Sequence, residues 1–271
     1  MSTQTINASQ NPGLANQLIK EVSKETTPEK PKAAVTPPSD TVVTLPGGYV
    51  TADGEVITEA EVRELNGRDE EAIAKATTVG KVLTGILTRG TVSIGGLEAT
   101  EEVLDQMFAG DRDALLLGIY KATFGADAEL DAYCSGCEDY KAILINVDED
   151  IRVVKLSDPV ADRKFVVKGR SSEYTVILPN GKIQKDLLLN SNKTLAELTT
   201  ILLEGTVREI NGSAVFTKAQ VQDIGLVDRR KIADELTKRA FGPVFEEVTV
   251  ACPTCDGEVV APINLGALFR Q

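Results

Sequence analysis

Apolar and polar positions alternate in some stretches of the chain and recur at helical spacing in others, and local stop and start signals divide the two kinds. Residues 79–88 read as a helix that ends at Gly90, and residues 98–107 as another. Behind Asp111, taken as an N-cap, Leu115, Leu116, Ile119 and Phe124 share the face of a further helix, with Gly125 in place for a left-handed C-cap. Earlier, Thr58 with Glu61 has the form of a capping box, Asn66-Gly67 is expected to stop that helix, and Asp69 to cap the next. Strands are expected at 128–133 and 141–147. Further on, Thr194/Glu197 form a capping box, Asn211-Gly212 a hairpin turn, Asp228 a cap and Gly242 a stop, with strands at 244–251 and 258–265.

These signals repeat. Leu83-Thr84-Gly85-Ile86-Leu87-Thr88-Arg89-Gly90-Thr91-Val92 matches Leu198-Thr199-Thr200-Ile201-Leu202-Leu203-Glu204-Gly205-Thr206-Val207 at an offset of 115. Asp111-Arg112 matches Asp228-Arg229 and Phe124-Gly125 matches Phe241-Gly242 at offset 117. Cys134-Ser135-Gly136-Cys137 matches Cys252-Pro253-Thr254-Cys255, and Ile145-Asn146 matches Ile263-Asn264, at offset 118. One order of motifs with a drift of three residues is the mark of an internal duplication with small loop insertions. The expected fold is therefore α+β: two tandem modules, 46–150 and 151–271, each of several helices and a small antiparallel sheet that carries a Cys-x-x-Cys knuckle.

Residues 1–45 differ, with Pro28, Pro31, Pro37 and Pro38 among Ser, Thr, Lys and Glu. Such a composition predicts a flexible tail that buries too little surface to fold alone. Within it Leu14, Leu18 and Val22 would form one apolar stripe on a helix. Two readings are open for that stripe: a helix that docks on a partner, or a marginal helix without a role.

Composition removes much of the catalytic repertoire. The 271 residues contain no histidine, which excludes Ser-His and Cys-His nucleophile pairs and His-ligated metals. No P-loop, dinucleotide fingerprint or nucleophile elbow is present, so an enzyme is not expected. The net charge of −12 argues against a nucleic-acid partner. No apolar run is long enough for a membrane helix, and the polar start Met1-Ser2-Thr3-Gln4-Thr5 lacks the pattern of a signal peptide, which predicts a chain in a reducing cytoplasm. The charge is unevenly spread: 46–150 holds 8 basic and 22 acidic residues, net −14, whereas 151–271 holds 17 and 15, net +2. Two faces turned toward different proteins, or drift under a demand for solubility, would each produce that split.

The four cysteines carry the one strong chemical signal. Cys134, Cys137, Cys252 and Cys255 form two Cys-x-x-Cys turns between strand patterns, the setting of zinc knuckles, and together they complete a four-thiolate set for one structural Zn²⁺. A dithiol redox pair, a disulfide and metal-free structural thiols are the competing readings. The redox reading suffers because neither pair runs into a helix that would lower its thiol pKa. The carboxylates Asp111/Asp113, Glu101/Glu102 and Asp148-Glu149-Asp150 read as helix caps, first-turn residues and a solvated loop, and Arg112 and Arg229 as partners of local surface pairs.

From Asp111 to Cys137, and more closely from Asp228 to Cys255, an Asp-initiated Leu-rich helix leads to Phe-Gly, an acidic strand, Cys-x-x-Cys and a strand ending near Ile-Asn. In Ala240-Phe241-Gly242-Pro243, Cys252-Pro253-Thr254-Cys255 and Ile263-Asn264-Leu265 the chain resembles a family of bacteriophage tail proteins named for the baseplate-hub protein of T-even phages. The resemblance covers some 60 residues of each half. It implies a structural or assembly component of the tail tip and baseplate, without enzymatic activity or small-molecule substrate. Its partners would be other tail or baseplate proteins, met in the host bacterial cytoplasm and retained in the virion or released after assembly. The duplication departs from the family's single module. The alternative is a zinc-ribbon adaptor or regulator that binds host protein or nucleic acid.

Overall fold

The structure, a computed structural model, describes residues 41–269. The chain begins with β1 (Val42–Val50) and β2 (Val56–Val62), followed by α1 (Gly67–Ile73) and α2 (Val79–Gly90). β3 (Thr91–Ile94), β4 (Leu97–Glu98), α3 (Glu101–Gln106) and α4 (Ala109–Phe124) come next, and β5 (Asp127–Cys134), β6 (Asp139–Asn146) and α5 (Val147–Asp150) close the first half. β7 (Arg152–Val154) leads into β8 (Lys164–Lys168), β9 (Glu173–Ile177), α6 (Gly181–Leu189) and α7 (Leu195–Thr206). Then come β10 (Val207–Ile210), β11 (Ser213–Ala214), α8 (Lys218–Gln222) and α9 (Leu226–Lys238). β12 (Gly242–Val244), β13 (Glu247–Ala251), β14 (Glu258–Pro262) and α10 (Leu265–Leu268) end the described chain. The mixture of helices and antiparallel sheets is α+β, as expected.

Each half has a four-stranded antiparallel sheet, in the order β1-β2-β3-β4 and β8-β9-β10-β11. The first sheet packs against α2, α3 and α4 around Leu45, Val62, Leu87, Ile94 and Leu115. The second packs against α7, α8 and α9 around Val176, Leu203, Val221 and Ile232. α4 is buried on nearly all sides, as an apolar helix at the centre of a fold must be. β1 lies so close to it that a Cβ on Gly118 would overlap Val43. Each fully buried Leu or Ile there contributes about 1.5–3 kcal/mol of transfer free energy.

A third core joins the halves. The hairpins β5-β6 and β13-β14 bury Leu130, Ile143, Val259 and Ala261 together with Leu117 and Tyr120 of α4 and Leu268 of α10. β7 and β12 form a further two-stranded antiparallel ribbon, which ties the start of the second half to the end of α9.

Several local expectations are corrected. Thr58 and Glu61 lie in strand β2, where Ala60 and Val62 are buried on one face and the polar residues are exposed on the other. Asn66-Gly67 starts a helix instead of stopping one: the Asn66 side chain caps α1 in a capping box with Asp69. α3 begins at Glu101, because Leu97–Glu98 pairs with β3. Asp111 and Asp228 are not N-caps; Phe108 and Gly225 hold those positions and the aspartates point inward. β1 begins at Val42 and buries Leu45, inside the stretch expected to be tail. Leu14, Leu18 and Val22 lie outside the described residues.

Candidate metal centre

Cys134 ends β5 and Cys252 follows β13, so each hairpin delivers its first cysteine from the end of a strand into the shared core. Tight turns then bring the second cysteine of each pair back beside the first. In the second turn Cys252 N–H donates to Gly257 O at 2.7 Å and Asp256 N–H to Cys252 O at 3.0 Å. Glu138 and Asp256, each just after the second cysteine, adopt left-handed backbone with φ of 54° and 57°. That conformation turns the chain sharply and is uncommon for residues with a side chain.

The turns face each other. Cys134 Sγ lies 3.6 Å from Cys255 Sγ and Cys137 Sγ 3.8 Å from Cys252 Sγ, so each short distance runs between halves. All four sulfurs lie within 4.8 Å of one another. Four thiolates around a tetrahedral Zn²⁺ with Zn–S of about 2.3 Å would stand about 3.8 Å apart. A disulfide needs about 2.05 Å, and all four thiols are free. Cys134 and Cys252 are enclosed, Cys137 is half-buried and Cys255 exposed, which leaves one side of the cluster open to solvent.

The electrostatics favour a cation at the centre of these sulfurs. The Thr254 N–H, 3.4 Å from Cys252 Sγ, holds that thiol down to about 6. Cys137 is pushed up to about 12, first by sharing its proton with Cys255 and then by burial. Four crowded sulfurs cannot all ionise by themselves, and a dication removes that repulsion. Lys141, bonded to Asp139 at 2.9 Å, is raised above its ordinary value first by that bond and, more weakly, by the charges of Cys137 and Cys252.

The other candidates behave differently. Arg112 and Arg229 are buried, not surface residues: each donates from Nη1 at 3.0 Å to the carbonyl eight residues earlier, Leu104 O and Val221 O. Asp111 Oδ1 accepts from Gly47 N–H at 2.6 Å, and Asp228 Oδ1 from Arg170 N–H at 2.7 Å. These two Asp-Arg pairs clamp a distant segment, β1 in the first half and the residue after Gly169 in the second, to the helix start and the preceding helix, a structural role that the recurring Asp-Arg dipeptide signals in sequence. Burial pushes Asp111 up to about 6. Glu101 pairs with Lys185, and Asp148 with Lys121 at 2.6 Å, which leaves them in surface ion pairs. Among the described residues no helix is long and apolar enough to cross a membrane. Comparisons with protein-family models, with curated proteins and with solved structures find no match to this chain.

Proposed function

We propose that the protein is a non-enzymatic assembly component whose two halves, 46–150 with β1 and 151–271, are copies of one module stapled by a structural zinc ion. Cys134 and Cys137 on one zinc knuckle and Cys252 and Cys255 on the other hold the ion in a closed four-thiolate site. The observation that carries the reading is the convergence of four sulfurs from opposite halves at tetrahedral spacing. A closed site has no open position for substrate, so the metal contributes folding energy and fixes how the modules meet. The repeated element order and the two Asp-Arg clamps support the duplication. The particular setting, a phage tail or baseplate with other tail proteins as partners, rests on the sequence resemblance of the Phe-Gly to Cys-x-x-Cys stretches. Substitution of Cys134 and Cys252 by Ser should release zinc and loosen the modules, and unchanged metal content would overturn the zinc site. Co-sedimentation of the tagged chain with tail particles from infected cells tests the setting; its absence from every assembly intermediate would overturn it.

A further inference from the structure

The first half's docking slot is filled by the second half, and among the described residues nothing fills the second half's own slot. At the start of α4, Phe108-Ala109-Gly110 lie beneath two segments of the second half. The Phe241 ring meets Phe108 edge-on with centroids 5.2 Å apart, and Gly242 presses so close that a Cβ there would come within 2.7 Å of Gly110 Cα. Beside it, Ala109 N–H donates to Pro179 O at 3.0 Å and Gly181 N–H to Met107 O at 2.8 Å. The plug thus consists of Asn180-Gly181 and Phe241-Gly242.

The matching slot at the start of α9 is Gly225-Leu226-Val227. Leu226 is 75% and Val227 62% exposed, and they border a cavity of about 600 Å³ with Arg170, Tyr174 and Ile224. The matching plug, Asn66-Gly67 and Phe124-Gly125, lies on the surface of the first half. Phe124 is 49% exposed, and a Cβ on Gly67 or on Gly125 would meet nothing within 4 Å. Leu65 N–H donates to Thr123 Oγ1 at 3.1 Å, so the two plug segments lie side by side as one patch. The slot carries Arg170 beside Asp223 and Asp228, so the match of plug and slot rests on the repeated apolar joint and not on charge.

We propose that the open slot receives the Phe124-Gly125 and Asn66-Gly67 patch of a second copy of this chain. The contact is head-to-tail and repeats between chains the joint already made within one. A heterologous contact of this kind propagates into a ring or a filament. The proposal rests on the reading of the halves as copies of one module.

Sedimentation velocity of the full chain over a concentration series tests it. The wild type should form species beyond the dimer. Phe124→Glu and Val227→Glu should each weaken self-association by about tenfold or more, as loss of an anchor side chain does. Mixed one to one, the two variants should form a heterodimer and nothing larger, since each supplies the part the other lacks. A monomeric wild type, a variant that associates like the wild type, or a mixture without heterodimer would overturn the proposal. Phe124→Ser and Leu226→Ser, milder changes at exposed positions, give the same comparison if the charged variants lose their folded circular dichroism. Zinc measured on the same samples separates the two claims. A monomeric wild type with one zinc per chain overturns the docking alone, and an associating chain without zinc overturns the metal centre alone.

Discussion

The starts of α4 and α9 carry the same polar clamp in opposite surroundings. In both, an arginine reaches the carbonyl eight residues back and an aspartate takes a distant backbone N–H, of Gly47 in β1 or of Arg170 after β8. At α9 the second aspartate oxygen also accepts from Tyr174 OH at 2.8 Å, and a cavity lies alongside. At α4 the second oxygen of Asp111 finds no hydrogen-bond partner among the described residues, and Phe241 and Gly242 pack over the site. What differs is closure by the other half of the chain, and closure costs the first clamp its solvation. Side-chain size follows: Ala109-Gly110 makes room for the incoming Phe-Gly, whereas Leu226-Val227 leaves an apolar rim exposed.

The largest effect should come from the one place where both halves contribute to a single centre. Chelation of the metal, or Cys134→Ser with Cys252→Ser, should split one thermal transition into two, as each half keeps its own sheet core while the shared core opens; calorimetry reads this. A single unshifted transition would show that the joint does not depend on metal. Next is Arg112→Met, which leaves Leu104 O without its donor and Asp105 with Lys185 as its remaining ion-pair partner; a loss of about 3 kcal/mol in urea unfolding is expected. Arg229→Met breaks bonds only to neutral groups, Val221 O and Thr200 Oγ1, and should cost about half as much.

A swap sharpens the contrast at the slot itself. Gly110→Val forces a side chain into the Phe241 carbonyl and should destabilise by about 1–3 kcal/mol, whereas the matching Val227→Gly on open surface should cost about 0.5–1 kcal/mol through helix propensity alone. Equal costs would mean that the first slot is not filled. A further contrast lies in the pH dependence. Asp111, pushed up to about 6 by burial, binds its proton more tightly folded than unfolded. Its contribution is full below the unfolded pKa of about 4 and is lost as pH rises through 6. Asp113, pushed up to about 6 by burial as well, declines over the same range, so Asp111→Asn should lessen the fall in urea midpoint between pH 5 and pH 8 and Asp111→Asn with Asp113→Asn should remove it. Asp69, held down to about 2 first by its bonds to Arg63, slopes the other way, and its stabilisation is lost as pH falls from about 4 through 2.

Much of this contrast was legible in the chain, but only where the cause is local. α2, the Thr194/Glu197 box and the Asn211-Gly212 turn are set by neighbours in sequence, and they stand where the patterns put them. Thr58 and Glu61 misled because the Thr-x-x-Glu spacing also occurs in an alternating strand, and β2 is decided by pairing with β1 and β3. Asp111 reads as a cap because its partner, Gly47 in β1, lies 64 residues earlier. The burial of Arg112 and the filling of one slot by Phe241 come from the packing of one half on the other, which no local pattern encodes.

The central claim is that sulfurs from both halves share one ion. Elemental analysis of the purified full chain tests it most directly, with Cys134→Ser/Cys252→Ser measured beside it. One zinc per wild-type chain and none in the variant is the predicted result; a metal-free wild type, or a variant that keeps its zinc, would contradict it.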